Sequence, residues 1–152
     1  MINEVLVVED DDFKLERLSR ALLEANPGLV LRVAKSVHNA IEMLGRSYGL
    51  IVLDMALPSH TVTVGSSPAM SLPSGGIEVL LELAYAGRDD KVVVLTQYPE
   101  IEIEETLVPT KSALDVFREH KMGNVVAVLQ YEPESSEWAG SLTEIARQEC
   151  AS

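Results

Sequence analysis

One stretch constrains this chain more than any other: Leu50-Ile51-Val52-Leu53-Asp54-Met55-Ala56-Leu57-Pro58. Four consecutive branched aliphatic residues suit a strand buried on both faces, which is the situation of strands in parallel sheets covered by helices on each side. The run ends in a carboxylate and is stopped by a proline, so Asp54 falls where a strand ends. In an open parallel α/β sheet, ligands and chemistry are found beyond the carboxyl ends of the strands. Asp54 is thus either a turn cap or an active group. Val5-Leu6-Val7-Val8-Glu9-Asp10-Asp11 repeats the pattern, an apolar strand running into acids. Two such strands in one sheet bring their carboxylates to the same edge. Clustered acids repel unless a divalent cation such as Mg²⁺ lies between them, and oxygen ligands suit that metal.

The rest of the chain reads as alternating strands and helices. Phe13, Leu15, Leu18, Leu22 and Ala25 mark a helix over 12–25 with Asp11 or Asp12 as its cap, and Asn26-Pro27-Gly28 ends it. Leu29 to Ala34 predicts a short strand, and Ser36 caps a helix with Val37, Ala40, Ile41 and Leu44 on one face. After the Asp54 strand, Ile77, Leu80, Leu81 and Ala84 form the stripe of a helix stopped by Gly87. Lys91 to Leu95 is a fourth strand ending at Thr96, Ser112 to His120 a helix, and Asn124 to Gln130 a fifth strand. Trp138, Leu142 and Ile145 bury one side of a last helix. Repeated βα order requires right-handed crossovers, which gives an α/β fold: a five-stranded parallel sheet with helices on both faces. Two long loops interrupt it. Residues 59–76 are rich in Ser, Gly and Pro, with Thr61 to Val64 as a short hairpin, and 98–110 alternate Glu with Ile, as a solvated face does.

At 152 residues the expectation is one domain spanning 1–152. No apolar run is long enough to cross a bilayer, and no secretory signal pattern opens the chain, so it is expected to be soluble and cytoplasmic. The single cysteine, Cys150, excludes an internal disulfide framework and leaves no zinc spacing. With 24 acids against 12 Lys plus Arg, a formal charge of -12 repels a phosphate backbone, and no basic cluster counters it. No direct nucleic-acid contact is expected.

Taken in order, Val7-Val8-Glu9-Asp10-Asp11, Leu53-Asp54-Met55-Ala56-Leu57-Pro58, Gly76, Thr96 and a proline after the fifth strand resemble the receiver domain of two-component response regulators. The resemblance covers nearly the whole chain apart from the two long loops. It implies a flavodoxin-like or CheY-like (βα)5 fold in which Asp54 accepts a phosphoryl group. It also implies that Glu9, Asp10, Asp54 and the Ala56 carbonyl hold Mg²⁺, and that Thr96 is a switch hydroxyl. Partners would be a histidine kinase or phosphotransfer protein and a downstream protein. A homodimer would form through the segment from Thr96 to the last helix. Such domains are signalling devices that promote their own phosphorylation and often their dephosphorylation. The chemistry is consistent: phosphoryl transfer to a carboxylate brings anions together and needs charge neutralisation and alignment above all.

The chain departs from that pattern at one charge. Receivers place a lysine directly before the proline that follows the fifth strand, where this sequence has Glu132. Losing one preorganised electrostatic partner costs about 3 kcal/mol, on the order of a hundredfold in rate. Lys111 and Lys121 are the nearby substitutes in sequence. The aromatic that often precedes that lysine by three residues is Leu129, and Tyr131 is out of register for the role. An alternative is therefore a phosphorylation-independent pseudo-receiver acting as a protein-interaction module through its two long loops. A hydrolase on the same topology is disfavoured, since His38, His60 and His120 lie at no expected strand end and Ala56 stands where a dehalogenase-type phosphatase has its second acid.

Overall fold

The computed structural model describes residues 2–58, 71–72, 75–122 and 124–150. The elements run β1 (Glu4–Val8), α1 (Asp12–Ala25), β2 (Val30–Ala34), α2 (Val37–Met43), β3 (Leu50–Leu53), β4 (Leu57–Pro58) and β5 (Ser71–Leu72). There follow α3 (Gly75–Tyr85), β6 (Val92–Thr96), β7 (Glu100–Ile103), β8 (Thr106–Pro109), a 3-10 turn (Thr110–Ser112), α4 (Ala113–Glu119), β9 (Val125–Gln130) and α5 (Glu137–Glu149). Five strands form one parallel sheet in the order β2-β1-β3-β6-β9. This is the α/β architecture expected from the sequence.

Strand periodicity sorts the core into two layers. Val5 and Val7, Leu50 and Val52, Val93 and Leu95 face α1 and α5. Leu6 and Val8, Ile51 and Leu53, Val92 and Val94 face α2, α3 and α4. All of these side chains are at most 1% exposed, which explains why the strands read as unbroken apolar runs.

Three expectations are corrected. In α1 the buried face is Lys14, Leu18, Ala21 and Leu22, while Phe13 is 66% exposed. The helix is rotated from the phase that Phe13 and Leu15 suggest, because positions 14, 18, 21 and 22 share one side of a 3.6-residue turn. In α3 the stripe runs through Ile77, Val79, Leu80 and Leu83, and Leu81 and Ala84 face outward. The acid-rich segment after β6 is an antiparallel hairpin, with Ile101↔Val108 and Ile103↔Thr106 in register. Its Ile101, Ile103 and Val108 enter the core beside Phe117. Only the Glu side of the alternation is solvated.

The hairpin turns on Glu104 and Glu105, both at positive φ (48° and 69°), the backbone of a two-residue turn that usually carries Asn-Gly. Of the other long loop, Leu57↔Leu72 and Pro58↔Ser71 pair antiparallel. The hairpin expected at Thr61 to Val64 lies outside the described residues.

Candidate functional site

The carboxyl edge of the sheet is where the acids meet. Glu9 and Asp10 follow β1, Asp54 follows β3, and β1 and β3 are neighbours in register, Val8↔Leu53. One carboxylate oxygen from each of Glu9, Asp10 and Asp54 lies within 4.8 Å of the others. Glu9 is 1% exposed and Asp54 7%, while Asp10 faces solvent. Glu9 Oε2 accepts the backbone N–H groups of Asp10 (3.1 Å) and Asp11 (3.2 Å), which fixes the side chain over the strand end. The backbone N–H of Ala56 donates to Asp54 Oδ1 (3.2 Å). Behind Asp54 the start of α3 packs so closely that a Cβ on Gly76 would lie 2.7 Å from the Asp54 carbonyl oxygen and 2.9 Å from Met55 Cα. Gly76 is there because no side chain fits.

Burial sets the electrostatics. Loss of water, and then the charge of Asp54, push Glu9 up to about 7, against the pull of Lys14 and the Asp11 N–H. Asp54 is also raised, first by burial, with Lys14, the Ala56 N–H and the neighbouring Glu9 carboxyl opposing. Two buried carboxyls at this spacing resist double ionisation without a cation.

A cation is already present in the chain. Lys14, 3% exposed, places Nζ 2.8 Å from Glu9 Oε1 and 3.6 Å from Asp54 Oδ1. Its ammonium also lies 5.3 Å from the centre of the Tyr131 ring. Sequence reasoning missed this residue. Lys111 and Lys121, the substitutes it named, are both exposed. The signal was the helix phase that puts position 14 on the same side as Leu18, Ala21 and Leu22.

The remaining candidates divide. Thr96, 1% exposed, ends β6, and its Oγ1 accepts the backbone N–H of Tyr98 (3.2 Å) while its carbonyl accepts that of Tyr131 (2.7 Å). Extending the β3–β6 register from Leu53↔Val94 puts Thr96 one residue beyond the level of Asp54. Glu132 is exposed, and its backbone carbonyl, not its carboxylate, is engaged, by the Trp138 indole N–H (3.1 Å).

The donor set suits a hard divalent cation: carboxylate oxygens on two adjacent strand ends. Glu9 Oε1 is fully enclosed and has no well-aligned hydrogen bond, only the ion contact to Lys14, so it retains a lone pair for a metal. Among the described residues, no helix is long and apolar enough to cross a membrane.

Comparison with known proteins follows the same line. No family model matches the chain. The Detocs response regulatory protein DtcB of Vibrio alginolyticus is 36% identical over 138 residues, covering 88% of this chain and 93% of that protein. A two-component response regulator from Legionella pneumophila is 25% identical with a TM-score of 0.61, covering 95% of this chain and 98% of that one. TrrA from Thermotoga maritima, solved in complex with Mg²⁺-BeF, is 18% identical with a TM-score of 0.59, covering 95% and 99%. A CheY-like receiver domain protein from Methanospirillum hungatei is 15% identical with a TM-score of 0.62, covering 98% and 97%. The fold is shared with the three solved structures, and the identity to DtcB extends over most of both chains, so this protein belongs to the response regulatory proteins of two-component signalling, built on a CheY-like receiver domain.

Proposed function

We propose that this receiver, acting as one unit over residues 1–152, accepts a phosphoryl group on Asp54 from a histidine kinase or phosphotransfer protein and signals through a downstream protein partner. The observation that carries the reading is the position of Asp54: nearly buried, at the carboxyl edge, with Glu9 and Asp10 contributing oxygens within 4.8 Å. In the step, a carboxylate oxygen of Asp54 attacks phosphorus and forms a P–O bond. The bond from phosphorus to the donor breaks, and its electron pair leaves with the imidazole or carboxylate of the donor. Glu9, Asp10, Asp54 and the Ala56 carbonyl would hold Mg²⁺, which supplies charge neutralisation at the transferring group. The chain's own contribution is alignment: the Ala56 N–H fixes one oxygen of Asp54, and the Asp10 and Asp11 N–H groups fix Glu9.

Thr96 is assigned the switch. Its hydroxyl, now accepting the Tyr98 N–H, would turn to donate to a phosphoryl oxygen, which frees the start of the segment leading to β7. A second reading, a phosphorylation-independent module, draws on the exposed anion at Glu132.

One experiment separates them. The protein is incubated with Mg²⁺ and acetyl phosphate, and intact mass is followed beside D54N. The expected result is a single phosphoryl addition that requires Mg²⁺ and is abolished in D54N. Absence of any addition, with Mg²⁺ still bound, favours the interaction module.

A further inference from the structure

We propose that Lys14 is the phosphoryl-group ligand of this site, its ammonium reaching the acceptor carboxylate from helix α1. The inference rests on Asp54 as the phosphoacceptor and deepens that reading.

The placement of Lys14 is poor for the helix and good only for the edge. It is the third residue of α1, in the first turn, where the helix dipole disfavours a cation. It is also buried, and a lysine loses both hydration and rotamer freedom when enclosed. What offsets these costs is the pair of carboxylates at 2.8 and 3.6 Å. The direction follows from helix geometry, since side chains tilt toward the helix N-terminus and so point a residue here back over the strand ends.

Charge accounting identifies what the ammonium is for. Glu9, Asp10 and Asp54 carry three negative charges when ionised, and Lys14 leaves two, which one divalent cation matches. A phosphoryl group then brings further negative charge to the same edge, and among the described residues Lys14 is the cation within 3.6 Å of Asp54. The Tyr131 ring, itself buried, lies 5.3 Å from the ammonium and adds a cation–π contact to the ion pairs. In the transfer step, the new P–O bond on Asp54 places phosphoryl oxygens within the reach of Nζ, which now lies 3.6 Å from Asp54 Oδ1 in an ion contact, and one N–H of the ammonium donates to such an oxygen. No proton leaves the lysine.

The test compares wild type, K14M, K14R and D54N, each first shown to be folded by circular dichroism and thermal melting. Three quantities are measured: the rate of Mg²⁺-dependent labelling by acetyl phosphate, the affinity for beryllofluoride, and the affinity for Mg²⁺ alone. Trp138, the one tryptophan, packs against Tyr131 with ring centres 4.9 Å apart and the rings tilted by 53°, and reports binding by fluorescence. In K14M, labelling and beryllofluoride affinity are expected to fall about a hundredfold, while Mg²⁺ binding holds or tightens because a competing cation is gone. K14R is expected to recover much of the loss. If K14M melts below the assay temperature, K14Q provides the same comparison.

Three results overturn the proposal. If K14M labels and binds beryllofluoride within about threefold of wild type, Lys14 is only a counter-ion. If Mg²⁺ affinity falls together with beryllofluoride affinity, Lys14 organises the carboxylates and does not touch the phosphoryl group. If wild type takes up neither reagent, the phosphoacceptor reading itself fails, a pattern visible without any Lys14 variant.

Discussion

Two junctions leave the sheet at its carboxyl edge and meet over the acids, the one from β1 into α1 and the one from β9 into α5. The first buries two of its charges: Glu9 and Lys14 are almost wholly enclosed and paired at 2.8 Å, while Asp10, Asp11 and Asp12 face water. The second buries its rings and exposes its charge, with Tyr131 at 4% and Trp138 at 3% while Glu132 faces water. They are fastened together by Arg17, whose Nη1 donates to the Tyr131 hydroxyl (3.1 Å) and the Pro133 carbonyl (2.6 Å). The guanidinium also lies over both rings, at 5.5 and 5.3 Å. The contrast teaches that the two junctions divide the work: the first brings the cation and the second supplies an apolar wall beside it. An apolar wall lowers the local dielectric, and each charge inside it then acts more strongly.

The comparison breaks most severely at Glu9. E9A leaves the Lys14 ammonium buried without its nearest partner, and is expected to lower stability by about 3 kcal/mol in urea unfolding. Mg²⁺ binding should be lost as well. Proton linkage gives a smaller effect. Glu9 is pushed up to about 7 from the usual 4.5 in the folded protein, so the folded form holds its proton more tightly than an unfolded chain does. Its contribution to stability is full below about pH 4.5 and is lost as pH rises toward 7. Unfolding measured at pH 5 and pH 7.5 should show that fall, and saturating Mg²⁺ should reduce it, because a metal favours the carboxylate. The least effect belongs to the other junction. E132K, at an exposed position, is expected to change the rate of Asp54 labelling by less than about threefold, far less than K14M. A large gain would mean that the β9–α5 junction, and not α1, controls the charge at the acceptor.

The sheet and its acids were legible because their signals are local. Leu50 to Leu53 and Val5 to Val8 are unbroken apolar runs, and Glu9, Asp10 and Asp54 follow them directly, so strand adjacency alone brings the three together. Lys14 was hidden by a competing pattern. Phe13 and Leu15 are large and apolar on either side of it, and the helix exposes Phe13 to bury the lysine. Helix phase puts Lys14 on the face of Leu18, Ala21 and Leu22, and the carboxylates beside it hold the ammonium there. The β7–β8 hairpin was missed for a different reason. Glu100 to Ile103 alternates as a half-buried strand should, but Glu104-Glu105 carries none of the glycine or asparagine that announces a two-residue turn. A backbone that tertiary packing forces into positive φ leaves no compositional mark.

The closeness of Glu9 and Lys14 in the chain also bears on the order of assembly. Four residues lie between them, so bringing them together closes a very short loop at little entropic cost. Joining either one to Asp54 requires β3 to dock, some forty residues further on, and a lysine after β9 would have had to wait for nearly the whole chain. The Glu9–Lys14 pair is thus local to the β1–α1 unit, whereas the surroundings of the pair include Asp54 after β3 and Tyr131 after β9.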